Sequence, residues 1–215
     1  MYKNDYWISK SLNLIIQKLI AELKEIKSRK ITFQSKTLQS LKYNVLKCFK
    51  CNLYKTRNNI VFGCGNQQAN LVFVGEAPGI EEDFQAKPFV GAAGQLLTKM
   101  IEAMRLKRSD VYICNIIKCK PPNNRNPNQN EIDNCIIYLK EQLHIIQPKV
   151  IITLGRYAYQ ALLNTTMSIS KARGIFTNYE NIPLMPTFHP AYLLRNNSKK
   201  KYVWSDLKQV IKLLN

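Results

Sequence analysis

Six cysteines stand at positions 48, 51, 64, 114, 119 and 135 of this 215-residue chain. Cys48 and Cys51 form a close pair, "CFKC", whereas Cys119 and Cys135 are dispersed. Four thiolates brought together in space can hold a tetrahedral zinc or an iron–sulfur cluster. Structural zinc usually takes two close pairs, so one close pair with two dispersed partners leans toward a cluster. Cys64 and Cys114 have no fitting partner spacing and are read as non-ligands. A second chemical feature is "FVGEAPGIEED", where Glu76, Glu81, Glu82 and Asp83 follow a hydrophobic run and a Gly/Pro turn. The chain as a whole carries 32 Lys+Arg against 14 Asp+Glu, a net charge of +18. Carboxylates crowded at the end of a strand in so basic a chain point to local chemistry or to local capping.

These residues need elements to position them. From residue 70 onward, hydrophobic runs alternate with amphipathic stretches. Strands are expected over 70–75, 111–117, 149–155 and 182–190, the last broken by prolines. Helices are expected over 38–47, 92–104, 128–146, 156–164 and 202–214, with Asn126 capping the third and Pro127 in its first turn. Alternating strands and helices predict an α/β fold, a three-layer α/β/α domain around a central four-stranded parallel sheet. Sites in such sheets gather beyond the C-terminal ends of the strands. "GEAPGIEED", "NIIKCKPP" and "FHPAYLLR" all fall there. Ahead of this domain, Ile8, Leu12, Ile15, Leu19, Leu23 and Ile26 recur at spacings of three and four, which predicts a helix over 8–28. The organisation is therefore an N-terminal helical extension over 1–36 and one domain over 37–215.

The length suits one well-buried domain. No apolar run reaches the roughly 18–20 residues that a membrane span requires, and no signal-peptide pattern opens the chain. A protein of the cytoplasm, without membrane attachment, is expected. The charge makes a polyanion the expected partner, nucleic acid foremost. A genome rich in Lys codons would also raise it, so charge alone decides nothing.

In order and at compatible spacing, "CFKCNLYKTRNNIVFGCGN", "LVFVGEAPGIEEDFQAKPFVGAAGQLL", "VYICNIIKCKPPNNRNP" and "PTFHPAYLLR…VWSDLK" resemble the family 4 uracil-DNA glycosylases, the iron–sulfur branch of that superfamily. The resemblance covers residues 48–210. It implies a monomer that acts on uracil-containing DNA, single- or double-stranded, and leaves an abasic site. It also implies a [4Fe-4S] cluster on Cys48, Cys51, Cys119 and Cys135, and a uracil pocket built from the turn Gly75, Glu76 and Ala77 with Phe89, Asn115 and His189. Ala86 departs from the family, which often has Gly there, and "RNNSKKK" replaces a commoner Pro-containing run.

Each pocket residue has a chemistry that fits the implied reaction. Phe89 offers a face for stacking a flipped base. The Asn115 amide offers one donor and one acceptor, matching uracil and mismatching cytosine. His189 can donate to uracil O2 as negative charge grows there. Among the carboxylates, Glu82 is the candidate for placing the attacking water, since Ala77 stands where more active superfamily members carry Asp. Leu193 or Leu194 is the candidate wedge into the emptied stack, with Arg195 and Lys199–Lys201 on phosphates. The competing readings are a glycosylase-fold module that binds DNA with little or no turnover, and acids that merely cap the following helix.

Overall fold

The computed structural model describes residues 35–215. The helix expected over 8–28 lies outside the described residues. The first described helix, α1 (Leu38–Leu46), starts at Thr37, whose Oγ1 accepts from Ser40 N at 3.1 Å while Ser40 Oγ accepts from Thr37 N at 3.3 Å. After a short 3-10 turn (Asn52–Lys55) come β1 (Cys64–Gly65), β2 (Leu71–Gly75), α2 (Ile80–Gln85), α3 (Ala92–Ala103), β3 (Tyr112–Asn115), α4 (Gln129–Ile146), β4 (Val150–Leu154) and α5 (Arg156–Leu163). The chain continues through α6 (Ile169–Ala172), β5 (Thr177–Tyr179), β6 (Ile182–Thr187), α7 (Pro190–Arg195) and α8 (Lys200–Leu214).

The sheet has six strands in the order β1-β3-β2-β4-β6-β5. Its four central strands pair in parallel, as expected, but β1 and β5 add short antiparallel edges, so it is mixed and larger than the expected four-stranded sheet. Two- and three-residue strands leave too little alternation to be read in advance. The period of two explains the layers. Along β2, Val72 and Val74 face a core with Leu41 and Val45 of α1 and Leu139 and Leu143 of α4. Leu71 and Phe73 face the opposite core, with Leu97 and Ile101 of α3 and Val203 and Leu207 of α8. Both faces are thus covered by helices, which suits near-continuous apolar strands.

Three element ends differ from expectation. The cap of α4 is Asn128, two residues later than Asn126, because Asn128 Oδ1 accepts from Glu131 N and Glu131 Oε2 accepts from Asn128 N, both at 2.9 Å. Strand β3 stops at Asn115, and Ile116 and Ile117 then donate to the carbonyls of Gly75 and Glu76 at 3.0 and 3.2 Å. The fourth expected strand stops at Thr187, since His189 caps α7 and Pro190 takes its first position.

Candidate functional site

Because β2, β3, β4 and β6 run in parallel, their C-terminal ends lie on one edge of the sheet. The crossover from β3 to β4 passes over β2, so the strand order reverses there and a crevice is expected beyond that edge. A cleft of about 610 Å³ occupies the place, lined by Glu76, Ala77, Gly79, Glu82, His189, Tyr192 and Arg195 among others. A groove of about 490 Å³ between α4 and α5 is another hollow among the described residues, lined by those helices and the residues flanking them rather than by strand ends.

At the end of β2, Gly75, Phe89 and Asn115, three of the sequence candidates, pack together. A Cβ at Gly75 would come within 2.4 Å of Asn115 Oδ1 and 2.5 Å of the Phe89 ring, so only glycine lets that amide and that ring pack directly on the strand end. Asn115 is buried, and among the described residues its Oδ1 finds no hydrogen-bond partner, like Thr153 Oγ1 and Tyr179 Oη. An unpaired buried acceptor costs about 1–3 kcal/mol, which a ligand group donating to it would recover. Phe89 has φ +53, a left-handed backbone unusual for an aromatic residue. Such strain persists when neighbours fix it. Here Glu82 Oε1 accepts from Val90 N and Gly91 N, both at 2.9 Å, and Arg108 Nη2 donates to Pro88 O at 2.9 Å.

His189 forms the wall, its ring 5.5 Å from that of Phe89 at 34°. Its Nδ1 accepts from Ala191 N at 3.1 Å, so the neutral ring carries its proton on Nε2, free to donate into the cleft. Burial pushes its pKa down to about 4, with Glu82 opposing, which keeps that tautomer uncharged at neutral pH. Gly155, after β4, has φ +85, and a Cβ there would lie 2.9 Å from the Cβ of His189. Close backbone approach therefore sets how deep the imidazole sits.

The four acids divide by task. Asp83 is buried and accepts from Asn58 N, Asn59 N and Asn58 Nδ2 at 2.8–3.1 Å, pinning the segment after the cysteine pair. Glu82 ties Gly79 N to Oε2 at 3.1 Å, besides Val90 and Gly91. Three of its four lone-pair sites are thus spent on backbone, and one on Oε2 stays open toward the cleft. Glu81 is exposed. Glu76 lines the cleft, and burial raises its pKa to about 7 against the pull of Arg156. The expected wedge pair is separated by burial: Leu193 is 1% exposed in the core, whereas Leu194 is 49% exposed. Arg195 lies on the cleft rim.

Cys48, Cys51, Cys119 and Cys135 line a second, smaller cavity, while Cys64 and Cys114 are not part of it. Among the described residues, no group of three or more His, Cys, Asp or Glu side chains is arranged to hold a metal ion. Two sulfurs accept hydrogen bonds: Arg57 Nη1 donates to Cys119 Sγ at 3.2 Å, and Lys118 N to Cys135 Sγ at 3.3 Å. Burial raises the Cys119 thiol, with Arg57 opposing, and pushes Cys135 up to about 12. Lys118 escaped sequence reasoning, since a lysine has no reason to be read as buried. It is 1% exposed, and its Nζ donates to Asn115 O at 2.8 Å and Gln142 Oε1 at 2.6 Å. Gln142 Nε2 donates in turn to Phe62 O and Tyr112 Oη. One polar network thus joins the cysteine cavity to Asn115.

A sequence profile of the uracil DNA glycosylase superfamily matches residues 62–208. The chain is similar to the type-4 uracil-DNA glycosylase of Archaeoglobus fulgidus, 42% identical over 182 residues that span 81% of this chain and 92% of that protein. It is 46% identical to the type-4 uracil-DNA glycosylase of Saccharolobus solfataricus, over 80% of this chain and 83% of that one. For the type-4 uracil-DNA glycosylase of Thermotoga maritima the identity is 44%, over 77% and 88%. The matched stretch contains every described strand of the sheet, the cleft residues from Glu76 to Arg195, and Gly75, Phe89 and Asn115, and the chain belongs to the uracil DNA glycosylase superfamily.

Proposed function

We propose that this protein is a monofunctional uracil-DNA glycosylase of DNA repair, which flips uracil out of DNA and hydrolyses its N-glycosidic bond. The observation that carries the specificity is the unpaired Oδ1 of buried Asn115. With its backbone held by Lys118, the amide can accept from uracil N3–H and donate to O4. Cytosine reverses both groups, and each mismatched buried group costs about 1–3 kcal/mol. The Phe89 ring, held beside the Asn115 amide at Gly75, is the face assigned to stack on the base, for about 1–3 kcal/mol.

Hydrolysis breaks the bond between uracil N1 and C1′ of the sugar. The electron pair leaves with uracil and spreads onto O2, and the sugar becomes cationic. The Nε2–H of His189 is the donor assigned to O2, and its neutral form strengthens as a partner as charge develops. Water then adds at C1′, and the proton it gives up passes through solvent to the departing uracil anion, so that uracil and a C1′ hydroxyl result. The open lone pair of Glu82 is suited to orient that water, and Glu76 sets a second carboxyl beside the cleft in place of the Asp that Ala77 lacks. A uracil-containing strand is held by Arg195 and the Lys199–Lys201 run, with Leu194 as the wedge; the active unit is the monomer.

Cys48, Cys51, Cys119 and Cys135 are assigned to a [4Fe-4S] cluster. The fit is supported by four thiols that line one cavity and by N–H groups that donate to two of the sulfurs. When bound, the cluster supplies a cross-link between the end of α1, the segment after β3 and α4, and no step of the reaction. The deciding experiment is an alkali-cleavage assay on an oligonucleotide with one uracil, beside a cytosine control. Scission at uracil alone is expected, and Asn115→Ala should remove most of it. Salt-sensitive binding without scission would instead favour a DNA-binding module.

A further inference from the structure

From Tyr192, on the cleft rim, a run of rings and cations leads away from the pocket. The Tyr192 ring lies 5.1 Å from that of Phe188. The Arg173 guanidinium lies 5.9 Å from the Phe188 ring and 5.4 Å from the Tyr202 ring. Beyond it, Lys199 Nζ and Lys201 Nζ stand 5.4 and 5.3 Å from the Tyr202 ring centre. Arg173 is anchored, for it pairs with the buried Asp206 carboxylate and donates from Nη2 to Tyr202 O at 2.9 Å. It therefore spends its charge on Asp206 and serves as a rigid spacer between the rings. Tyr192 and Tyr202 are both exposed, at 36% and 39%.

We propose that this run is a track for single-stranded DNA leaving the flipped nucleotide, with bases stacked on Tyr192 and Tyr202 and phosphates met by Lys199 and Lys201. The inference rests on the glycosylase reading and names the form of DNA that the same site takes. Two arguments select a single strand. Aromatic faces interleaved with cations suit unpaired bases, whose faces are free. A duplex keeps its base faces stacked within itself and would use the lysines alone. The run also begins on the cleft rim, at Tyr192, and is tied to Tyr202 through Phe188 and Arg173 beneath, so the two exposed rings are held in fixed relation to the pocket.

The test compares full-length wild type with Tyr202→Ser, Tyr202→Phe and the double variant Lys199→Ser/Lys201→Ser. Each is assayed for kcat/KM of uracil release from a strand of roughly 15 nucleotides, free and annealed to its complement. Tyr202→Ser should lose about tenfold on the free strand, about 1.4 kcal/mol, through KM, and stay within about twofold on the duplex; Tyr202→Phe should behave as wild type. The double lysine variant should flatten the dependence of log KM on log salt by about 1.4 for the free strand, and it carries the test should Tyr202→Ser not fold. Equal losses on both substrates, or none on the free strand, would overturn the track while leaving the glycosylase intact. If wild type released no uracil from either substrate, yet Tyr202→Ser weakened anisotropy-detected binding of a uracil-free single strand, the glycosylase reading would fall and the track would stand.

Discussion

On the proposed reading Asn115 serves recognition and His189 catalysis, and separate measurements reach each. His189→Ala would then remove the donor assigned to O2; losses from deleting such a donor run at about 100- to 1,000-fold. The prediction is a drop of that order in single-turnover rate with DNA affinity nearly unchanged, and an unaltered rate would remove His189 from the mechanism. Glu76 yields a pH signature. Its folded pKa, near 7, lies above the ordinary 4.5 because of burial. Its contribution to stability is therefore full below about 4.5 and is lost as pH rises through about 7. If its carboxylate favours the cationic sugar, kcat/KM should rise through that same region, and Glu76→Gln should flatten both profiles. A profile unmoved by the substitution would leave Glu76 a bystander. At this scale the sequence is legible where type and turn coincide, as in His189 before Pro190 or Gly75 before Glu76. Burial is what it hides. Neither Lys118 nor the difference between Leu193 and Leu194 can be read from residue type, because each depends on which face a later helix turns inward.

Among elements, the short helix α2 and the loop after it carry the most information. Ala86 ends α2 with φ +54, a conformation that glycine adopts freely and alanine resists by about 1–2 kcal/mol. Glycine also loses more entropy on folding, by about 0.4–1 kcal/mol. The balance predicts that Ala86→Gly raises stability by about 0.5 kcal/mol in urea unfolding, and a loss of stability would contradict the strain. The acids around this helix do hold backbone, as the competing reading expected: Asp83 accepts from Asn58 and Asn59, and Glu82 accepts from three backbone N–H groups, which leaves one lone pair for the proposed chemistry. Strands and long helices are legible because their periodicity extends over several turns. The two edge strands are not, and the α4 start shifts to Asn128 because only Asn128 has a glutamate three residues on to close the capping box.

Over the whole domain, the cysteine cavity joins segments far apart in the chain, from Cys48 to Cys135. The proposed cluster would close that loop and restrict the unfolded ensemble, and a ligand that binds only the folded chain adds stability by mass action. Anaerobically purified protein should therefore be brown and contain about four irons per chain. Stripping the iron with a chelator should lower the melting temperature, and colourless protein with stoichiometric zinc would overturn the assignment. The parallel order of the four central strands was legible from alternating elements, whereas the bonds from the cysteine cavity to Asn115 were not, since they exist only once α4 packs its Gln142 against Lys118.

The narrow borders of the sheet bear on behaviour in concentrated solution. Its outermost strands are two and three residues long, Cys64–Gly65 and Thr177–Tyr179. An open strand is an invitation to a neighbouring molecule to extend the ladder, and long flat borders seed fibrils. Here almost no ladder is on offer at either side. Mutual repulsion at +18 keeps molecules apart only while salt is low; when salt screens it, these stubby borders still deny polymerisation a template.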